Sequence, residues 1–193
     1  MKIAIVNYNA GNVQSVIFAL NRLGVTPELT NDPEKLRAAD KVIFPGVGEA
    51  SSAMKYLKER GLDKVLISLK QPFLGICLGM QLMCKHSEEN DTECLGIFDL
   101  NLKKFPPKEK VPHMGWNKIY KLNSALTKGL DENDYVYFVH SFYAELGKET
   151  ISTCNYIHEF SAGLHKDNFY GFQFHPEKSG DIGEQILKNF IDL

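Results

Sequence analysis

Apolar residues fall into two rhythms along the chain. Short continuous runs rich in Ile, Val, Leu and Phe cover residues 2–7, 27–30, 41–44 and 71–76, and predict buried strands. After the first run, Val13, Val16, Ile17, Leu20 and Leu23 recur at helical spacing, and Gly24 closes that helix. Asp32-Pro33-Glu34 marks another helix start, with proline in the first turn, where its missing N–H forfeits no hydrogen bond. Residues 49–60 and 62–70 predict two further helices that lead into the fourth strand. The order βαβαβαβ predicts a parallel sheet with helices on both faces.

From about residue 96 the pattern changes. Residues 98–105, 111–120, 135–142 and 151–156 predict short strands with little helix between them, an antiparallel second half extending the same sheet. Residues 169–174 predict a last strand and 182–191 a closing helix. The expected fold class is α/β, three-layer and mostly parallel, in one domain spanning residues 1–193. A chain of this length buries a sizeable core. Its 44% apolar and 24% charged content is that of a globular protein. A net charge of −2 carries no electrostatic footprint for nucleic acid. No apolar run is long enough to span a bilayer, and Met1 leads directly into a strand pattern without a signal-peptide layout, so a cytoplasmic location is expected.

The four cysteines, Cys77, Cys84, Cys94 and Cys154, form no C-x-x-C pair, and the six histidines have no metal-ligand spacing. Free thiols, no metal and no cofactor are expected, with Cys84 facing the core of its helix. Cys77 is different. In Gly75-Ile76-Cys77-Leu78-Gly79 a buried strand turns into a helix, with glycine two positions away on each side of the cysteine. This is the G-x-nucleophile-x-G elbow with sulfur as the nucleophile. The helix start behind it favours the reactive thiolate. Far along the chain, Gly171-Phe172-Gln173-Phe174-His175-Pro176-Glu177 reads as a strand that proline stops. His175 and Glu177, two apart in an extended segment, project to one side. Alone, Cys77 also suits an inert core thiol, His175 a structural histidine and Glu177 a surface charge. Together they supply nucleophile, base and orienting carboxylate.

These motifs resemble those of class I glutamine amidotransferases. Further stretches are similar to the glutaminase subunits of imidazole glycerol phosphate synthases: Asn7-Tyr8-Asn9-Ala10-Gly11-Asn12, Pro45-Gly46-Val47-Gly48, Pro112-His113-Met114-Gly115-Trp116-Asn117, Val139-His140-Ser141 and His175-Pro176-Glu177-Lys178-Ser179. The Pro-His-Met-Gly-Trp-Asn stretch is the most specific, and the resemblance runs end to end.

The resemblance implies that Cys77 attacks the side-chain amide of glutamine, that His175 moves the protons and that Glu177 orients His175. It implies an oxyanion hole from the Leu78 N–H and the loop holding Gly46 and Val47, where glycine lets a peptide reorient. That loop also suits a plain strand-to-helix turn; it is not a phosphate loop, having no G-x-x-x-x-G-K-[ST]. Glutamine contacts map to Gln81 and Glu89 and to backbone near Ser141 and Phe142, where the family often carries tyrosine in place of Phe142. The implied partner is a (β/α)8-barrel cyclase that consumes the ammonia, with Asn12, Trp116 and Lys178 as candidates for the docking face. Trp116 equally suits core packing. Competing readings are a stand-alone γ-glutamyl cysteine hydrolase, a catalytically weak regulatory subunit, and an ammonia donor of the same type for another pathway.

Overall fold

The computed structural model describes residues 1–9 and 11–193; Ala10, inside one of the family-like stretches, lies outside the described residues. The chain runs β1 (Ile3–Val6), α1 (Val13–Arg22), β2 (Glu28–Thr30), α2 (Pro33–Ala38), β3 (Lys41–Phe44), α3 (Ala50–Glu59), α4 (Leu62–Ser68), β4 (Phe73–Ile76) and α5 (Leu78–Met83). It continues through β5 (His86–Ser87), β6 (Thr92–Glu93), β7 (Asn101–Lys104), β8 (His113–Lys118), β9 (Tyr135–His140) and β10 (Phe142–Ala144). Then come β11 (Thr150–Tyr156), β12 (His158–Lys166), β13 (Phe169–Phe172) and α6 (Gly180–Asp192). Among the described residues no helix is long and apolar enough to cross a membrane.

Strands β2-β1-β3-β4-β13 lie side by side and parallel, as the βα rhythm predicts. The sheet continues through antiparallel β12, β10 and β7. Strand alternation divides the core in two. Ala4 and Val6 of β1, with Val42 and Phe44 of β3, pack against α3, α4 and α5. Ile3, Ile5 and Ile43 face the opposite way, onto α1 and α6. Both faces are covered, which is why these strands read as continuous apolar runs.

The structure corrects two expectations. Strands β8 and β9 do not extend the sheet; they form a separate two-stranded ribbon. At Tyr137 the backbone of β9 is taken up by the Ser179 hydroxyl, which accepts its N–H, and by the His175 N–H, which donates to its carbonyl. The nine-residue β12 was not expected at all. Its centre is Ser161-Ala162-Gly163, buried on both sides. A side chain at Gly163 would sit 2.6 Å from the Ser152 hydroxyl and 2.9 Å from the Phe172 ring, so close packing demands small residues there and erases the apolar pattern.

Candidate active site

Strands β4 and β13 pair in register, with Gly75 opposite Gly171 and Ile76 opposite Phe172. Cys77 and the segment carrying His175 therefore leave the sheet together at its carboxyl end, where open α/β sheets place their ligands. Cys77 has φ 51° and ψ −109°, a conformation that costs a residue with a Cβ roughly 1–3 kcal/mol. Neighbouring backbone holds it there: its N–H donates to Phe172 (2.8 Å) and its carbonyl accepts from Gln81 (3.0 Å). A Cβ at Gly79 would run into the Phe44 carbonyl, and one at Gly75 would lie 2.8 Å from Met80 N. Both glycines of the elbow are thus required by packing. Burial pushes the other thiols up, Cys94 and Cys154 to about 12, so these and Cys84 stay protonated and inert.

His175 is 1% exposed. Its Nδ1 lies 2.8 Å from Glu177 Oε1, which also accepts from Asn12 Nδ2 at 2.6 Å. A carboxylate only accepts, so Nδ1 carries the proton and Nε2 is the nitrogen left for the thiol. Nε2 is buried and without a hydrogen-bond partner among the described residues. Burial pulls the imidazole pKa down, but the influence of Cys77 and Glu177 outweighs it and raises the value to about 10. Strand β13 ends before His175, and Pro176–Lys178 is a 3-10 turn that folds Glu177 back onto the ring. The Ser179 hydroxyl staples this turn by donating to the His175 carbonyl (2.6 Å).

A cleft of about 290 Å³ opens over Cys77, and Gln81, Glu89, Ser141 and Phe142 all line it, with Val47 and Leu78. Gln81 Nε2 donates to the Phe142 carbonyl (3.0 Å) and to Gln173 Oε1 (2.9 Å). Phe142 thus contributes its backbone carbonyl to the cleft. Glu89 Oε2 accepts the N–H of Ala50 (2.7 Å). Gln173 was not among the expected residues. It is fully buried, and its Nε2 points at Cys77 Sγ from 3.7 Å. Its mark in the sequence is a polar residue between Phe172 and Phe174, two before His175.

The Phe142 carbonyl also anchors a buried chain. His140 Nδ1–H donates to it (2.7 Å), and His140 Nε2 then accepts from His113 Nδ1 (3.0 Å). His113 Nε2 in turn accepts from Asn117 Nδ2 (3.2 Å). One carbonyl sets both tautomers. Burial lowers the pKa of His113 to about 4 and of His140 to about 3, so both are neutral.

The Leu78 N–H donates to the Gly46 carbonyl at 3.3 Å. In this resting form the expected oxyanion donor is occupied. Because a peptide's C=O and N–H point oppositely, the Val47 N–H is turned away from the cleft. Trp116 is 54% exposed on the outer face of β8, beside exposed Met114, and Lys178 is exposed as well. Asn12 is half-buried; its amide donates to Glu177 and its oxygen accepts from Ser15.

Comparison with known proteins agrees with this geometry. The family model for glutamine amidotransferase class-I matches residues 4–193. The chain is 59% identical to the imidazole glycerol phosphate synthase subunit HisH of Bacteroides thetaiotaomicron, with 100% of each chain covered. It is 44% identical to the subunit of that name in Shewanella loihica, over 98% of this chain and 89% of the relative. Among solved structures it is similar to a protein described as part of a GMP synthase from Thermoplasma acidophilum (TM-score 0.79, 22% identity, 100% of this chain and 92% of that one). It is also similar to a glutamine amidotransferase (TM-score 0.77, 18% identity, 98% and 97%). At such identities these two structures speak to the fold alone. The elbow, the paired imidazole and carboxylate, and a family match over nearly the whole length agree: the chain belongs to the class I glutamine amidotransferases.

Proposed function

We propose that this chain is the glutaminase subunit of a cytoplasmic imidazole glycerol phosphate synthase in histidine biosynthesis. It hydrolyses glutamine and passes the ammonia to a (β/α)8-barrel cyclase, which forms imidazole glycerol phosphate and aminoimidazole carboxamide ribotide. The observation that carries the chemistry is the Cys77 elbow facing the buried His175–Glu177 pair at the foot of a cleft. The full-length likeness to HisH subunits supports the pathway.

The Cys77 sulfur attacks the glutamine Cδ, with its proton held on His175 Nε2. The tetrahedral intermediate collapses as His175 gives that proton to the leaving nitrogen, releasing ammonia and leaving a γ-glutamyl thioester. Water, losing a proton to His175, then attacks the thioester; glutamate leaves and the thiol is restored. The negative oxygen of each intermediate needs the Leu78 and Val47 N–H groups. Turning the peptide between Gly46 and Val47 frees the first and aims the second. With the bond from Leu78 to Gly46 in place, turnover without the partner is expected to be low. Trp116 and Lys178 sit on the face that meets the cyclase. Strand β9 links that face to the site, binding the His175 segment at Tyr137 and passing Cys77 Sγ at the Val139 carbonyl (3.8 Å).

The test is glutamate release from glutamine by the purified chain, with and without the barrel cyclase and its nucleotide ligand. Strong stimulation that vanishes in Cys77→Ser is expected. Full activity without the partner would support a free hydrolase instead.

A further inference from the structure

We infer that Tyr8 is a positioning residue of the glutaminase reaction: its buried hydroxyl fixes the peptide between Pro45 and Gly46 as the stationary side of the hinge about which the next peptide turns to complete the oxyanion hole. The inference rests on the reaction proposed above.

Tyr8 lies just beyond β1 and is 2% exposed, with its ring tilted against Phe44 at 4.7 Å between centroids. Its hydroxyl donates to the Pro45 carbonyl. A side chain at Gly46 would collide with the same hydroxyl. Tyr8 is absent from the walls of the glutamine cleft. It lines a second cavity, of about 140 Å³, together with Val47, Gly48, Tyr56 and Leu78. Val47, Gly48 and Leu78 are common to both cavities, so the loop is a partition with space on either side.

Turning the peptide between Gly46 and Val47 needs changes only in ψ of residue 46 and φ of residue 47. That local rotation aims the Val47 N–H accurately only if the preceding peptide stays still. Tyr8 is the group that holds it. Burial, reinforced by nearby Cys77, keeps the phenol pKa well above its ordinary value, so the hydroxyl remains a donor wherever the enzyme works. In Tyr8→Phe the ring remains on Phe44 and only the anchor is lost. The rotation then spreads into Pro45, and the Val47 N–H misses the developing oxyanion.

The experiment compares Tyr8→Phe with wild type in the complex with the cyclase and its nucleotide ligand. Expected is a fall in glutaminase kcat of about tenfold or more, with the KM for glutamine within about twofold, because an oxyanion donor acts on the transition state and not on bound substrate. Alkylation of Cys77 by iodoacetamide builds no oxyanion and is expected to keep its wild-type rate. An unchanged kcat overturns the inference. So does a parallel loss of kcat, glutamine affinity and alkylation, which would mark Tyr8 as a packing residue only. A wild-type complex without Cys77-dependent turnover overturns the reaction itself.

Discussion

In the proposed reaction, Cys77 relies on four neighbours of different kinds. Two are glycines that permit the turn, one is His175, and the last is Gln173, whose amide reaches the sulfur from the strand leading to the base. A hydrogen bond to a charged acceptor contributes about 1.5–3 kcal/mol. Gln173→Leu is therefore expected to lower kcat by about tenfold, since about 1.4 kcal/mol is a factor of ten. Steady-state kinetics of the coupled reaction, with Gln81→Leu as a comparison, will measure it. The proposed triad stands out in the sequence because its spacing is local: G-x-C-x-G and His-x-Glu are short motifs set by one turn each. Gln173 and Tyr8 do not, because their roles depend on partners 96 and 37 positions away in the chain.

At the level of elements, the β8–β9 ribbon contributes a pH sensitivity of its own. His113 and His140 stand directly opposite each other in it, neutral and hydrogen-bonded in series. Their folded pKa values, about 4 and about 3, lie below the roughly 6.5 of an unfolded histidine. The stability they contribute is full above pH 6.5 and is lost as pH falls, because the unfolded chain takes up protons that the fold refuses. Each group costs about 1.4 kcal/mol per pH unit in that window. From pH 7 to pH 5 the stability contributed by this pair is expected to drop by about 4 kcal/mol. His175 has the opposite sign: raised to about 10, it favours the fold fully below pH 6.5 and loses that effect as pH rises toward 10. Urea titrations across pH 5–9 will check both limbs, and imidazole NMR spectra at pH 5 should show His113 and His140 still neutral. The ribbon's strands were readable from their residues, but its separation from the main sheet was not. That separation depends on Ser179 and His175 capping Tyr137, contacts that no periodicity encodes.

Across the whole molecule, the parallel half was the most legible part. Strands buried on both faces leave continuous apolar runs, and helices between them leave a 3.6-residue rhythm. The antiparallel half has shorter strands, a small-residue centre in β12 and one side toward solvent, so its pattern is weaker. Trp116 shows the same boundary. Its large apolar ring suited either core or interface, and the fold leaves it exposed beside Met114. With the cyclase, Trp116→Ala is expected to weaken binding by about 2 kcal/mol, roughly 30-fold in Kd, while leaving the melting temperature of the isolated chain nearly unchanged. Calorimetric titration and thermal denaturation separate the two. The bond from Leu78 to Gly46 has a consequence at this scale. A single neutral hydrogen bond contributes only about 0.5–1.5 kcal/mol net. The closed loop is then a lightly loaded latch. A partner that prefers the open form need supply little to release it, and linkage runs both ways. Whatever occupies the opened hole, such as an acyl group on Cys77, tightens the grip on the partner by the same factor and holds the two subunits together until the ammonia has left.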